Sequence, residues 1–331
     1  MLSGCNIDGD VDGDHPKLLA NWYRFRYNQI LFATTLAEGR HAARGRCEMA
    51  VRVGLVVACQ LALGGLVVAG ADNGSLASQQ GRMAQAGPRS MGETGAVQVA
   101  AGSAHSLMLK SDGTVWAWGG NTAGEIGDGT YVDRAIPVPV AGLANIVAIA
   151  AGNGYSLAVK DDGTVWAWGW NYYGQLGDGG TVSRTTPARV SGLTGVLRVA
   201  AGDAHSLAVK QDGTVWAWGI NSYGGLGDGT TLNRSLPVQV TGLPAAAGVA
   251  AGYEFSLAVT ANGSVWGWGL NTSGQLGDGT AANRPTPVQT QGLTGVQSIA
   301  AGYRHSLAVN ADGTAWAWGS NYKGQLGVCR G

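Results

Sequence analysis

Residues 100–118 read Ala-Ala-Gly-Ser-Ala-His-Ser-Leu-Met-Leu-Lys-Ser-Asp-Gly-Thr-Val-Trp-Ala-Trp, and the pattern recurs along the chain. Ala-Ala-Gly begins at residues 100, 150, 200, 250 and 300, a period of 50 residues without drift. A fixed period of this length is the sequence signature of a repeat architecture. A Trp-x-Trp pair follows in step in each repeat: Trp116 and Trp118, Trp166 and Trp168, Trp216 and Trp218, Trp266 and Trp268, Trp316 and Trp318.

Each repeat contains two short alternating runs on either side of an Asp-Gly or Asn-Gly pair. In the first repeat the runs are residues 105–110 and 114–118, around Asp112 and Gly113. This arrangement predicts a hairpin with a type I′ turn. Further strand-like segments at 97–101 and 137–140 give three or four strands per unit, and residues 97–331 show no helical periodicity. The chain is therefore expected to be all-β, a β-propeller of five 50-residue repeats.

The fifth repeat is incomplete, which leaves two interpretations of the ring. The units are 97–145, 146–195, 196–245, 246–295 and 296–331, and the last lacks the segment after Gly327 that the others share. Either further blades have been lost, or five units form an incomplete ring. An incomplete ring exposes a sheet edge, which favours self-association.

The repeat text resembles the regulator of chromosome condensation repeats. The segments that carry the resemblance are 99–109, 199–209 and 299–309, each with Ala-Ala-Gly followed by His-Ser-Leu, and the trailing segment 168–177. Tyr155 and Phe255 depart from the family pattern in the His position. The resemblance covers residues 97–331 and implies a β-propeller, usually of seven blades.

The functions implied by this resemblance are mixed. The eukaryotic founder promotes nucleotide exchange on a small GTPase through an inserted wedge, whereas the five units here keep one 50-residue register. The plant ultraviolet photoreceptor uses Gly-Trp-Arg-His-Thr motifs, and this chain has Gly-Tyr-Arg-His-Ser once, at 302–306. A secreted bacterial relative inhibits β-lactamases through one propeller face, and that precedent fits this chain best.

The first 96 residues predict export. Val53 to Ala71 is 19 residues without a charge, preceded by Met49 and Arg52 and ended by small residues. We interpret 49–71 as a signal peptide, with an uncleaved membrane anchor as the alternative. Residues 1–48 are then a mis-assigned N-terminal extension, and 72–96, rich in Gly, Ser, Gln and Ala, are a flexible linker.

Composition and cysteine content exclude several classes of function. Lys+Arg and Asp+Glu number 21 each, a balance that argues against nucleic-acid binding by phosphate neutralisation. Cleavage after Ala71 would leave only Cys329, so neither an intrachain disulfide nor a cysteine metal cluster is expected. No Ser/His/Asp set, phosphate-binding loop or credible carboxylate pair occurs. We expect no enzyme activity, no cofactor and no metal.

Two periodic sets of polar residues are interpreted as structural. His105, His205 and His305 occupy equivalent positions, and each imidazole is expected to tie a turn to a neighbouring backbone group. A metal-binding ring is the alternative. Each Gly-Asp-Gly aspartate precedes an arginine by six residues, as Asp128 precedes Arg134. This spacing predicts an ion pair in every long loop, with an anion-binding arginine ring as the alternative. The Trp pairs are assigned to blade-to-blade packing.

The positions that vary between repeats are the candidate binding residues. They follow Ala-Ala-Gly, as in Ser103-Ala104, Asp203-Ala204 and Tyr253-Glu254, or they follow Trp-x-Trp-Gly-x-Asn. Aromatic residues in loops on a rigid frame are typical of binding surfaces, although ordinary loop variation explains them equally well. The predicted partner-binding residues are Trp170, Tyr172, Tyr173, Tyr223, Tyr253, Tyr303, Arg304 and Tyr322.

The sequence thus predicts an exported, non-catalytic β-propeller that binds a protein or carbohydrate partner. The first alternative is a regulator of a small GTPase that resembles a guanine-nucleotide exchange factor. The second alternative is an accessory module of an exported hydrolase. Location is extracellular, periplasmic or at the cell surface, and membrane contact is expected only if Val53 to Ala71 stays uncleaved.

Overall fold

The computed structural model describes residues 95–327, and these form only strands and loops. The predicted extension 1–48, the signal peptide 49–71 and all of the predicted linker except Gly95 and Ala96 lie outside the described residues. Ala96 begins the first strand, one residue before the predicted start of the repeats. None of the described residues forms a helix of the length and apolarity needed to cross a membrane.

Nineteen strands form five antiparallel sheets, here called blades 1 to 5. The strands of blades 1 and 2 are β1 (Ala96–Ala101), β2 (His105–Lys110), β3 (Val115–Gly119), β4 (Arg134–Pro139), β5 (Ile146–Ala151), β6 (Tyr155–Lys160), β7 (Val165–Gly169) and β8 (Arg184–Arg189). Those of blades 3 and 4 are β9 (Val196–Ala201), β10 (His205–Lys210), β11 (Val215–Gly219), β12 (Arg234–Gln239), β13 (Ala246–Ala251), β14 (Phe255–Thr260), β15 (Val265–Gly269) and β16 (Arg284–Gln289). Blade 5 contains β17 (Val296–Ala301), β18 (His305–Asn310) and β19 (Ala315–Gly319).

Strand order within every blade follows the sequence, so each blade is a meander of neighbouring antiparallel strands. The first strand of each blade contacts the first strand of the next, from β1 to β17. The Ala-Ala pairs that end these inner strands line a narrow central channel. Five repeats, all-β content and this radial arrangement confirm the predicted propeller.

The core lies between blades rather than within them. Each of blades 1 to 4 presents a forward face of Leu, Val and Ala to the next blade, which meets it with a backward face that carries the Trp pair. Leu107, Leu109 and Val115 of blade 1 pack in this way against Ile149 and Trp168 of blade 2. Strand side chains alternate between the two faces, so a period-two pattern supplies both surfaces from the same strands.

In blades 2 to 5, the second Trp of the pair also donates a hydrogen bond to the preceding blade. Trp168 is fully buried, and its Nε1 donates to the carbonyl oxygen of Glu125 in blade 1 at 2.8 Å. Gly127 lies beneath the indole with φ +75°, and a Cβ there would fall 2.7 Å from Nε1 of Trp168. Both the positive φ and the close approach require glycine, which explains the recurring Leu-Gly of the repeats.

The hairpin prediction is correct for the pairing but wrong for the turn. Gly113 has φ +77°, whereas Asp112 does not have a positive φ, so the turn is not type I′. Gly113 N donates to Lys110 O at 3.0 Å, which makes Ser111, Asp112 and Gly113 a three-residue loop. The carboxylate of Asp112 accepts hydrogen bonds from the backbone N and the hydroxyl of Thr114. This local bond favours a type I turn followed by a left-handed glycine.

The forward face of blade 5 is not covered by a further blade of the described chain. Leu307 and Val309 are 39 % and 42 % exposed, whereas their equivalents Leu207 and Val209 are buried in the interface with blade 4. Residues 95–327 thus form five consecutive blades with an open forward face.

Candidate functional site

Strand direction places all the predicted binding residues on one side of the propeller, called here the loop face. The inner strand of each blade runs toward this side and ends at Ala-Ala-Gly, and the third strand runs the same way and ends at Trp-Gly. The Asp-Gly hairpins lie on the opposite side, the hairpin face. On the loop face, backbone hydrogen bonds join the loop after the third strand of a blade to the loop after its inner strand. In blade 2 this bond runs from Trp170 N to Gly154 O at 2.8 Å.

The long loops of the loop face are built around a buried asparagine. In blade 2, Asn171 is fully buried; its Nδ2 donates to the carbonyl oxygens of Gly180 and Val182, and its Oδ1 accepts from Leu176 N at 2.9 Å. One amide side chain therefore holds three parts of the loop. Since equivalent bonds form around Asn121, Asn221 and Asn271, the sequence variation at the next two positions stands on a constant frame.

The predicted Asp–Arg ion pairs are confirmed in four blades. In blade 3 Oδ2 of Asp228 lies 2.8 Å from Nη2 of Arg234, and the carboxylate also accepts from Thr230 N. Burial raises the pKa of Asp228, but hydrogen bonds from Thr230 and Arg234 outweigh it and hold the pKa below its usual value. Each arginine is paired with the aspartate of its own loop, as the six-residue spacing predicts. The remaining pairs are Asp128–Arg134, Asp178–Arg184 and Asp278–Arg284.

His105 and His205 lie between blades and contact serine hydroxyls rather than the expected backbone groups, whereas His305 lies half-buried in blade 5, whose forward face is open. Nε2 of His105 lies 2.9 Å from Oγ of Ser156 in blade 2, and Nε2 of His205 lies 2.9 Å from Oγ of Ser256 in blade 4. Burial lowers the pKa of both imidazoles to about 4. Residues 95–327 contain no group of three His, Cys, Asp or Glu side chains that could hold a metal.

Blade 2 carries a compact group of aromatic rings, called here the blade-2 aromatic cluster: Trp170, Tyr172 and Tyr173. The ring centroids of Trp170 and Tyr173 are 5.6 Å apart at an interplanar angle of 77°, and those of Tyr172 and Tyr173 are 4.9 Å apart at 89°. Tyr172 is 67 % exposed. The cluster therefore presents ring edges and faces at right angles to each other on a fixed loop.

A second group, the axial cluster, consists of residues that line the mouth of the central channel and of their neighbours behind it: Asp203, Tyr253, Glu254, Tyr303 and Arg304. The Tyr253 and Tyr303 rings are 4.3 Å apart, and the guanidinium of Arg304 lies 5.6 and 5.7 Å from their centroids. Asp203, Tyr253 and Tyr303 line the mouth. The structure thus brings the predicted residue Tyr253 together with Tyr303 and Arg304 of the next repeat.

Two predicted residues, Tyr223 and Tyr322, lie in loops of other blades. Tyr223 occupies in blade 3 the position of Tyr173, and Tyr322 occupies in blade 5 the position of Tyr172; both are exposed. Asp203 and Glu254, by contrast, were not selected as binding residues. For Glu254 the sequence does carry a signal, because the position that is Glu or Gln in the other repeats is Gly225 in blade 3, and the backbone of Glu254 lies against it.

Comparison with known proteins identifies what this architecture resembles. The family model described as the RCC1-like domain matches residues 65–330. Human WBSCR16 superposes with a TM-score of 0.64 at 27 % identity, over 71 % of this chain and 64 % of that one. Yeast RCC1 (Prp20), solved bound to Kap60, gives 0.61 at 28 % identity over 68 % and 56 %.

Prp20p from Saccharomyces cerevisiae, described with its binding properties to Gsp1p and histones, gives a TM-score of 0.63 at 26 % identity. Here the match covers 71 % of this chain and 60 % of that one. The chain thus spans less than two thirds of the length of each of these three structures.

Proposed function

The chain belongs to the RCC1-like domain family, and from this premise we propose that it is a non-catalytic scaffold whose loop face binds a protein partner outside the cytoplasm. The blade-2 aromatic cluster carries this proposal. The exposed Tyr172 and the half-buried Trp170 and Tyr173 stand on a loop that Asn171 holds in place, and the equivalent positions of blades 1 and 4 carry no aromatic residue. Large aromatic side chains on a rigid frame provide binding energy at low entropic cost.

The ring geometry favours a protein over a carbohydrate. A sugar ring stacks on a flat aromatic surface, whereas these rings meet at 77° and 89° and form a notch. A notch of this kind accepts an apolar side chain with edge and face contacts. Yeast RCC1 (Prp20) was solved with a protein, Kap60, which supports a protein partner by analogy.

The test replaces the cluster with residues that the same fold already carries. The triple variant Trp170→Leu, Tyr172→Thr, Tyr173→Ser copies Leu270, Thr272 and Ser273 of blade 4. We expect melting within a few degrees of wild type, because the substituted residues suit the same loop frame. Quantitative cross-linked capture from the secreted fraction of the source cells should lose its partner. The matched control is Tyr131→Thr, since Tyr131 is 60 % exposed and blades 2 and 3 carry Thr there.

Three outcomes separate the possibilities. A protein retained by wild type and Tyr131→Thr but lost by the triple variant supports the proposal. Glycan-array binding that the triple variant loses identifies a carbohydrate partner instead. A large drop in melting temperature together with unchanged capture assigns the cluster to packing and refutes the proposal.

A regulator of a small GTPase is the second candidate, supported by the likeness to yeast RCC1. Against it, equivalent strands throughout residues 95–327 begin 50 residues apart, so the described blades contain no inserted wedge. We expect no acceleration of nucleotide release from the small GTPases of the source cells. Acceleration at catalytic concentrations of this chain would replace the scaffold proposal.

Export is part of the proposal and rests on the uncharged segment Val53 to Ala71. We expect the exported protein to begin at Asp72, as read by intact mass of the native protein in separated cell fractions. A cytoplasmic protein that begins at Met1 would contradict export and strengthen the small-GTPase alternative.

A further inference from the structure

The mouth of the channel on the loop face is built from one residue of each blade. Ser103 Oγ donates to Asn153 Oδ1 at 2.7 Å, and Asn153 Nδ2 donates to Asp203 Oδ1 at 2.9 Å. This chain of side-chain bonds runs through blades 1, 2 and 3 and ends on the carboxylate of Asp203. Blades 4 and 5 continue the circle with Tyr253 and Tyr303, so the mouth has a polar half and an aromatic half.

Glu254 adds a second carboxylate behind this rim, and both its backbone conformation and the burial of its carboxylate are unfavourable. Its backbone has φ +52°, one of two such non-glycine residues among 95–327, and the equivalent in blade 2 is Gly154. The residue is 6 % exposed, and its Oε2 has no hydrogen-bond partner in the protein. Positive φ and an unpaired buried carboxylate oxygen both cost stability, and such costs concentrate at functional sites.

The neighbouring sequence accommodates Glu254, and the positive charge of Arg304 offsets the Glu254 charge only in part. Gly225 occupies the position of Gln175 and Gln275, and a Cβ there would lie 3.0 Å from the carbonyl oxygen of Glu254. The ion pairs formed within residues 95–327 join Asp and Arg of single loops and involve neither Asp203 nor Glu254. Two carboxylates therefore share the axial cluster without a cation within ion-pair distance.

Arg304 shows what the aromatic half accepts. Its guanidinium lies over both Tyr253 and Tyr303, and its Nε has no hydrogen-bond partner. A cation over a tyrosine face gains attraction from the ring quadrupole, and its alkyl stem packs on the ring. The cluster thus combines two carboxylates, two stacked tyrosines and one internal cation.

We propose that the axial cluster binds an alkyl-linked cation, namely a lysine or arginine side chain that a protein partner inserts into the channel mouth. The carboxylates of Asp203 and Glu254 supply the charge, and the rings of Tyr253 and Tyr303 contact the stem. The identity of the partner as a protein rests on the proposed function, whereas the cation site itself does not.

The electrostatics of the two acids agree with this assignment. Burial raises the pKa of Asp203. Burial also raises the pKa of Glu254, and the nearby Asp203 charge raises it further, whereas a hydrogen bond with Tyr253 and the charge of Arg304 offset only part of this rise. A bound cation would relieve both effects, because it stabilises the ionised carboxylates.

The test uses a small probe, so that its result does not depend on finding the partner. Nα-acetyl-lysine methylamide is titrated into the full chain carrying ¹³C-labelled tyrosine, and the ring signals of Tyr253 and Tyr303 are followed by NMR. We expect saturable shifts with a dissociation constant on the order of a few millimolar. Nα-acetyl-norleucine methylamide, which lacks the charge, should give no saturable shift.

Variants assign the binding to the named groups. Glu254→Gln and Asp203→Asn should each weaken probe binding about tenfold, the usual scale for a charge-assisted contact, and Glu254→Gln should melt no lower than wild type. Arg304→Gln should strengthen binding several-fold, because it removes a competing cation. Asp161→Asn and Arg189→Gln make the same charge changes at exposed residues of the hairpin face and should have no effect.

Three results would overturn the proposal: equal shifts with the norleucine probe, unchanged affinity in both acid variants, or a lower melting temperature of Glu254→Gln without a change in affinity. The last would assign Glu254 to packing around buried water. None of these results bears on the blade-2 aromatic cluster, and loss of partner capture by its triple variant would leave the cation site intact.

Discussion

At the residue scale, the serine hydroxyl that contacts each histidine between blades determines which ring nitrogen of that histidine carries the proton. Oγ of Ser256 donates to the carbonyl oxygen of Gly225 at 2.8 Å, so it must accept from Nε2–H of His205. Nδ1 of His205 is buried and has no partner. Protonation would place a charged N–H there without an acceptor, and for this reason the imidazole stays neutral.

The lowered histidine pKa values predict acid sensitivity. Between pH 6.5 and about 4, the unfolded chain binds a proton at His105 and at His205 that the folded chain does not. The free energy of unfolding therefore falls as pH falls through this window, by about 3 kcal/mol for each histidine. The variant His205→Phe, which copies Phe255 of the equivalent position in blade 4, should lose about half of this histidine-linked pH dependence.

Urea unfolding of wild type and His205→Phe at several pH values between 4 and 7 measures this difference. The comparison cancels the contributions of the acidic residues, which both proteins share. Identical pH profiles would show that His205 titrates normally in the folded protein.

At the element scale, the long loop owes its shape to a buried amide more than to its ion pair. In blade 3, Nδ2 of Asn221 donates to the carbonyl oxygens of Thr230 and Leu232, and its Oδ1 accepts from Leu226 N. Asn221→Ala leaves these buried groups unpaired and should lower the free energy of unfolding by about 3 kcal/mol. Arg234→Ala removes a partly exposed partner and should cost about 1 kcal/mol.

Chemical denaturation of the two variants side by side checks this ranking. In Arg234→Ala, Asp228 keeps the hydrogen bonds from Thr230 and Asn221, which limits the loss. A larger loss for Arg234→Ala than for Asn221→Ala would show that the ion pair, not the amide, organises the loop.

At the scale of the whole molecule, self-association through the open edge stays a prediction. The exposed Leu307 and Val309 have the same character as the forward faces that pack inside the propeller, and Val99 on the backward face of blade 1 is 40 % exposed. The forward face of blade 5 and the backward face of blade 1 are thus of the two kinds that pack against each other between neighbouring blades. We therefore expect the 331-residue chain to associate head to tail with increasing concentration.

Sedimentation velocity over a concentration series measures this association. The double variant Leu307→Lys, Val309→Lys should remain monomeric, whereas Val132→Lys, Val182→Lys, which changes exposed loop residues, should behave as wild type. A wild-type chain that stays monomeric at every concentration contradicts the prediction.

The amino-acid sequence by itself determined the propeller. Its 50-residue period repeats the Asp-Gly or Asn-Gly turns, the alternating runs and the Trp-x-Trp pairs, and any unit can bury its faces only against another unit. The loop ion pairs also followed from sequence, because Asp and Arg lie six residues apart and reach each other locally. The Asp-Gly turn type was mistaken because the Asp112 carboxylate bonds to Thr114 and overrides the dipeptide preference.

Only the tertiary structure shows that the residues of the axial cluster come together. Asp203, Glu254 and Arg304 lie about one repeat apart along the chain, and each is an ordinary surface residue type when considered alone. Packing of successive blades around one axis brings them together, buries Glu254 and leaves its Oε2 without a partner. Burial and the absence of a hydrogen-bond partner are properties of the assembled ring, and no single repeat contains them.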